Sequence, residues 1–361
     1  MQNERRAAIR AEAARLEQVF LNAGALRIEA DSLLPAETLL DLYGEDIRAR
    51  AYVTHDPVMG ERMMRPDFTV PIVQRHMSEG AEPARYTYNG PVWRMQDAGS
   101  TRATEFVQVG FELFDRTNPA DSDAEVFSLF AEILPKSLTV TTGDVGLLQS
   151  VVASLKTSDR RRAALMRHLW RPARFKNLLT KFAQPTVDDT RSALLVAADQ
   201  IGVDAMMENA GKFIGLRSGS EIAARIAGLK DDETTPPISD EEVAVVNALL
   251  AIDTTAANAL LELQTLQGSM PAIAKSVSIF ARRLDALDQR GVDVNALAFK
   301  GGYGLTSMEY YDGFVFGFAD GENVVASGGR YDAMTAVLGT GREIPAVGGV
   351  IRPDALIGGT A

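Results

Sequence analysis

Apolar residues recur at two periods along this chain, and the changes from one period to the other divide it into parts. Over residues 3–23, Ile9, Leu16, Val19 and Phe20 fall at helical spacing up to Gly24, which predicts an amphipathic first helix. From Arg85 to Asp115 the period drops to two. Val107, Val109, Phe111 and Leu113 share one parity, and Gln108, Gly110 and Glu112 share the other, with Phe106 and Phe114 flanking the run. This predicts a strand with one greasy and one polar face, paired in a hairpin with a strand that ends at Trp93-Arg94. The helical period returns in residues 122–134 through Val126, Leu129, Phe130 and Ile133, and residues 137–155 read as strand, turn and helix. From about Thr157 to Arg290 the pattern is almost wholly helical, broken at Gly202, Gly211, Gly228 and Pro236-Pro237. Strand signals resume at Val292. Residues 308–321 alternate again, with Tyr310, Asp312, Phe314, Phe316 and Phe318 on one parity and Glu309, Tyr311, Gly313, Val315 and Gly317 on the other. The simplest organisation is one α/β core, 1–155 and 291–361, interrupted by a helical insertion over 156–290.

Composition narrows the function classes. With 361 residues, 46% of them hydrophobic and 24% charged, the chain has the make-up of a globular protein of one large or two smaller domains. No apolar run approaches the roughly 20 residues of a membrane helix, and the charged start lacks a signal-peptide core, so a cytoplasmic protein is expected. The absence of cysteine removes disulfides, thiolate metal sites and cysteine nucleophiles, and His55, His76 and His168 are too scattered to form a metal cluster. A net charge of −11 argues against a grip on nucleic acid. The densest basic stretch, Lys156 to Lys176 with Arg160, Arg161 and Arg162, reads as a solvated helix face. Chemistry is concentrated instead in the hairpin. Gly110 between Gln108 and Glu112 predicts a floor under a small polar ligand, while a plain Arg94–Glu112 ion pair is the structural alternative.

The hairpin resembles motif 2 of class II aminoacyl-tRNA synthetases in its histidyl form: an aromatic-Arg pair, a loop, then a strand of pattern Q-x-G-x-E-x-F, with a matching fourteen-residue spacing from Arg94 to Gln108. Arg65-Pro66-Asp67-Phe68-Thr69 resembles that family's R-P-E-x-T, which meets the amino acid's α-amino group; Asp67 and Thr69 are equally suited to capping a helix. Residues 308–318 resemble R-G-L-D-Y-Y-x-x-x-V-F, placing Tyr311 at the imidazole-holding tyrosine and Glu309 at the aspartate. Gly328 to Asp332 match G-G-R-Y-D, and residues 344–351 resemble the start of motif 3. The segment around Pro35 stands where motif 1 belongs. The resemblance implies a class II synthetase-like α+β core with a mostly antiparallel sheet flanked by helices, self-associating through the motif 1 region.

Departures from the pattern fall on catalytic positions. The family's charge-stabilising arginine is Thr306 here, its motif 3 arginine is Ala355 beside a displaced Arg352, and the motif 2 glutamate is Gln96. Adenylate formation depends on such positioned charges. The sequence also ends nine residues after Arg352, so no anticodon-binding domain is expected. This combination resembles the regulatory subunits of ATP phosphoribosyltransferase, synthetase-like proteins that pair with a short-form catalytic subunit in the first step of histidine biosynthesis. The resemblance implies a chain with no catalytic residues, cofactor or metal, whose partner is the short-form ATP phosphoribosyltransferase catalytic subunit and whose effector is histidine. The implied histidine contacts are Asp67, Thr69, Arg94, Gln108, Glu112, Glu309, Tyr310 and Tyr311. In that arrangement Glu112 and Tyr311 meet the imidazole, Asp67, Thr69 and Gln108 the ammonium, and Arg94 the carboxylate. A truncated histidyl-tRNA synthetase-like enzyme and a tRNA-sensing module are the alternatives; Thr306 and Ala355 argue against the first, the acidic balance against the second.

Overall fold

The computed structural model describes residues 2–38, 50–100, 102–185, 189–211, 217–305, 310–339 and 341–358. Its strands are β1 (Leu26–Arg27), β2 (Leu33–Pro35), β3 (Val53–Asp56), β4 (Gly60–Met64), β5 (Ala84–Trp93), β6 (Glu105–Phe114), β7 (Thr139–Asp144), β8 (Asp253–Thr255), β9 (Ala298–Lys300), β10 (Phe314–Asp320), β11 (Asn323–Arg330) and β12 (Ala346–Ile351). They form a large sheet in the order β1-β5-β6-β12-β11-β10-β7-β9-β8 and a small one, β2-β4-β3. Among the described residues the only parallel pairs of the large sheet are β1–β5 and β7–β9. This is the mostly antiparallel sheet expected of a class II core.

Alternation decides which face each residue meets. The greasy parity lies under helices: Phe20 of the first helix, Gln2–Asn22, sits 5.5 Å from the rings of both Phe111 and Phe130. From the helix Pro119–Ile133, Phe127 packs on Phe314, Phe316 and Phe318, with ring centroids 5.5 to 6.0 Å apart. That helix starts where Asn118 accepts the Asp121 N–H and Pro119 supplies a preset φ. In the first helix the buried positions are Ala13, Leu16 and Phe20, joined by Glu17, which takes Arg27 at 2.6 Å; Val19 is only half-buried.

The opposite, polar parity is left to the site. Registers Tyr86↔Glu112, Tyr88↔Gly110 and Gly90↔Gln108 align the hairpin, and Glu112↔Gly348 with Gly348↔Gly329 extend the row across β12 to β11.

Several expectations need correction. The described residues of 156–290 are almost wholly helical, as expected, but they include one strand that the pattern does not predict: β8 pairs with β9 at the sheet edge, three residues being too few to leave a periodic signal. The block is also tied to the core, because Arg283 of the helix Ala274–Gln289 is buried against Asp123 (2.7 Å) and Asp144 (2.6 Å). The strand anticipated from residue 308 begins only at Phe314, so Tyr310 to Gly313 precede it. Thr306 and Glu309 lie outside the described residues, as do 39–49 of the motif 1 region. No helix among the described residues is long and apolar enough to cross a membrane.

Candidate functional site

Glu112 is the centre of the polar face and is 1% exposed. Its carboxyl is held by three hydroxyls: Tyr331 donates at 2.6 Å, Thr69 and Tyr88 at 3.3 Å each. Burial pushes its pKa up to about 8, against the pull of those donors, and the nearby charge of Asp67 pushes the same way. Burial likewise raises the phenols of Tyr88, Tyr331 and Tyr311, with Glu112 adding to the shift in each. The carboxylate reaches Tyr331 because β12 has a glycine opposite: a Cβ on Gly348 would stand 1.6 Å from Glu112 Oε2.

Gly110 serves a different purpose from the one its position implied. The space above it is filled by the Tyr88 ring, which would meet a Cβ there at 2.1 Å, and Tyr88 is in turn stacked on Phe68 at 4.4 Å. The glycine admits a tyrosine from the neighbouring strand, and that tyrosine donates to Glu112. Gly110→Ala is therefore expected to lower stability by about 1–3 kcal/mol through overpacking, read as a lower melting midpoint. An unchanged midpoint would mean that Tyr88 has room to move.

The expected residues largely converge. Thr69 contacts Glu112 directly, and Asp67, 5% exposed, is close enough to act on Glu112, Tyr88 and Tyr311. They do not cap the helix Thr69–Glu79: Phe68 is at the N-cap and no side chain bonds there. Tyr311 packs over Gly329, touches Tyr310 at 4.7 Å between ring centroids, and feels both Glu112 and Arg94. Tyr310 reaches Tyr331 at 6.1 Å. Gln108 is 2% exposed, and its Oε1 is sealed from solvent with no hydrogen-bond partner among the described residues. Arg94, half-buried, donates from Nε to the Pro66 carbonyl at 2.8 Å and lies 5.7 Å over Phe106. It forms no ion pair with Glu112, so the structural alternative for that pair falls away.

Sequence reasoning missed Tyr88 and Tyr331. Tyr88 had a signal, since the period-two register of the hairpin puts it opposite Gly110. Tyr331 lies in the G-G-R-Y-D match, where nothing in the sequence marks it as a partner of Glu112. Of the eroded positions, Gln96 is turned onto carbonyls of its own loop, Arg94 and Ala103, both at 3.4 Å. Arg352 lies 4.6 Å over the Phe106 ring and pairs with Asp354 at 3.0 Å. A groove of about 1060 Å³ opens there, beside Arg10 and Arg102, and none of the expected histidine contacts lines it.

Sheet order, polar face and the buried acid together define a class II synthetase-like core. A family model described as histidyl-tRNA synthetase matches residues 1–231. The chain is 30% identical over 354 residues to the ATP phosphoribosyltransferase regulatory subunit of Mesorhizobium japonicum, covering 93% of this chain and 94% of that protein. It is 32% identical over 344 residues to the protein of the same name from Agrobacterium fabrum, covering 89% of each. The chain belongs to the family of ATP phosphoribosyltransferase regulatory subunits, which share the histidyl-tRNA synthetase-like fold. Solved structures agree on that fold. An ATP phosphoribosyltransferase regulatory subunit/histidyl-tRNA synthetase from Bacillus halodurans matches with a TM-score of 0.67 at 18% identity, over 97% of this chain and 78% of that one. A histidyl-tRNA synthetase from Nostoc matches with a TM-score of 0.62 at 16% identity, over 98% and 71%.

Proposed function

We propose that this chain is a non-catalytic subunit that activates a short-form ATP phosphoribosyltransferase catalytic subunit and conveys feedback by histidine bound on the polar face of β6. The observation that most supports a ligand there is Gln108. A buried acceptor left without a donor costs about 1–3 kcal/mol, and such groups persist where something else completes them. The α-ammonium of histidine would donate to Gln108 and Thr69 and neutralise Asp67. Glu112, with its pKa near neutrality, can either donate to or accept from an imidazole, the one side chain that titrates in the same range. Tyr311 would flank the ring together with Tyr310 and, by resemblance, Glu309. Arg94 and Tyr310 are the half-exposed members of the set, and Arg94 would take the carboxylate.

A lack of catalysis follows from Thr306 and Ala355 standing where the synthetases carry arginines; Ala355 lies in the short helix Pro353–Leu356. Self-association through the motif 1 region near Pro35 belongs to the same reading. Co-expression with the short-form catalytic subunit is expected to yield a complex that co-elutes in size exclusion, while the chain alone shows no ATP–pyrophosphate exchange in the presence of histidine. Exchange above a mock preparation, or separate elution of the two proteins, would overturn this.

A further inference from the structure

One strongly charged region is unused by the site described above. Residues 156–181 hold nine Lys and Arg against the single Asp159, in a chain of net charge −11, so the rest of the molecule is more acidic than the total indicates. The region folds into two helices, Asp159–Arg167 and Pro172–Phe182, joined by a short turn. Leu165 on the first helix and Phe175, Leu179 and Phe182 on the second face inward.

Some of the cations are engaged within the chain. Arg161 is 2% exposed and paired with Asp232 at 2.5 Å, Arg160 donates to the Gly228 carbonyl, and Arg162 is tied to Asp159 and to the carbonyls of Leu155 and Thr157. The others point outward. Arg167, Lys176 and Lys181 are exposed and have no ion-pair partner among the described residues; Arg171 and Arg174 are exposed beside them. Arg174 Nε lies 3.1 Å from His168 Nε2, and after burial itself it is Arg174, Arg171 and Arg167 that lower the His168 pKa. One guanidinium therefore touches the imidazole and two more lie near enough to act on its charge, next to the half-buried Trp170 in the turn.

We propose that this basic face is where an acidic face of the catalytic subunit docks, an inference that rests on the regulatory reading above. Clustered like charges repel and destabilise a free surface, so an ordinary solvated face intersperses its signs, whereas this one does not. Trp and Arg are the residue types that most often anchor protein interfaces. A nucleic acid fits less well. Its backbone carries a charge about every 1.7 Å and would run past these two short helices onto the acidic remainder of the chain. A compact acidic protein surface needs only the patch.

The test uses the full chain and the catalytic subunit. In the triple variant Arg167→Glu, Arg174→Glu, Lys181→Glu, all three side chains are exposed, so melting midpoint and histidine binding are expected to match wild type. Its affinity for the catalytic subunit is expected to fall about tenfold or more, with a shallower dependence on salt. The neutral triple variant Arg167→Gln, Arg174→Gln, Lys181→Gln should fall between the two and guards against misfolding of the first. Equal affinity and equal salt dependence in all three proteins would overturn the proposal and leave the regulatory reading intact. So would an effect confined to binding of a tRNA probe, or one confined to self-association in sedimentation. Failure of the wild-type chain to bind the catalytic subunit would remove both.

Discussion

Glu112→Gln is expected to weaken histidine binding by about tenfold to hundredfold and to leave a fold that is more stable than the wild type at alkaline pH. The first effect arises because the proton that Glu112 keeps until about pH 8 can pass to the ligand's imidazole, making the contact a charge-assisted hydrogen bond, whereas an amide can offer only a neutral one; the loss is on the order of 1–3 kcal/mol. The second follows from the pKa of about 8 in the folded chain. An unfolded chain releases that proton near pH 4.5, whereas the native state keeps it until about pH 8. Between those values the native state binds the extra proton. The stabilisation is therefore complete below about pH 4.5 and is lost as pH rises through 8, on the order of 5 kcal/mol in all for a group this deeply buried. Asp312, which burial raises to about 7, gives a slope of the same sign in both proteins. The difference between wild type and variant isolates Glu112. Calorimetric titration with histidine, set beside melting curves from pH 5 to 9, measures both effects. Unchanged histidine affinity in a variant that melts lower at every pH would assign Glu112 to the core and not to the ligand.

Arg283→Met is expected to lose about 3–5 kcal/mol of stability, the cost of stranding buried charge. Arg283 is 2% exposed and joins three parts of the chain: its own helix, Asp123 of the helix Pro119–Ile133, and Asp144 at the end of β7. Asp123 would keep Arg330 at 2.6 Å. Among the described residues Asp144 would keep only its cap on the helix Val145–Ser154, the Leu147 N–H at 3.2 Å. The comparison is Lys230→Ala, which breaks an exposed pair with Asp199 and should change stability by less than about 1 kcal/mol. Denaturant unfolding of the two variants checks this, and equal midpoints would contradict it. Since Arg330 also holds Asp332, whose backbone N–H binds Asp312 one residue from Tyr311, the same variant is expected to loosen the tyrosine wall of the site.

The hairpin was legible because a strand buried on one face cannot slip register without exposing its whole apolar set, so Val107 to Leu113 fixed which residues are polar-facing. The helical block was legible for the same reason at the longer period. Tyr331 was not, because its contact with Glu112 depends on sheet order. β11 reaches β6 only through β12, whose Gly348 leaves the gap, and nothing local in the sequence places those strands side by side. Gly110 misled because a missing side chain looks the same in sequence whether a ligand or a neighbouring tyrosine fills the space. The three residues of β8 and the late start of β10 at Phe314 were lost to short length and to an aromatic run whose alternation continues beyond the hydrogen-bonded ladder.

The most direct measurement of the regulatory reading is phosphoribosyl transfer by the short-form catalytic subunit, held at fixed concentration and titrated with this chain in the presence and absence of histidine. The expected result is weak turnover by the catalytic subunit alone, a rise that saturates near equimolar addition of this chain, and suppression by histidine that Glu112→Gln shifts to higher histidine concentration. A catalytic subunit already fully active, and indifferent to addition of this chain, would contradict it.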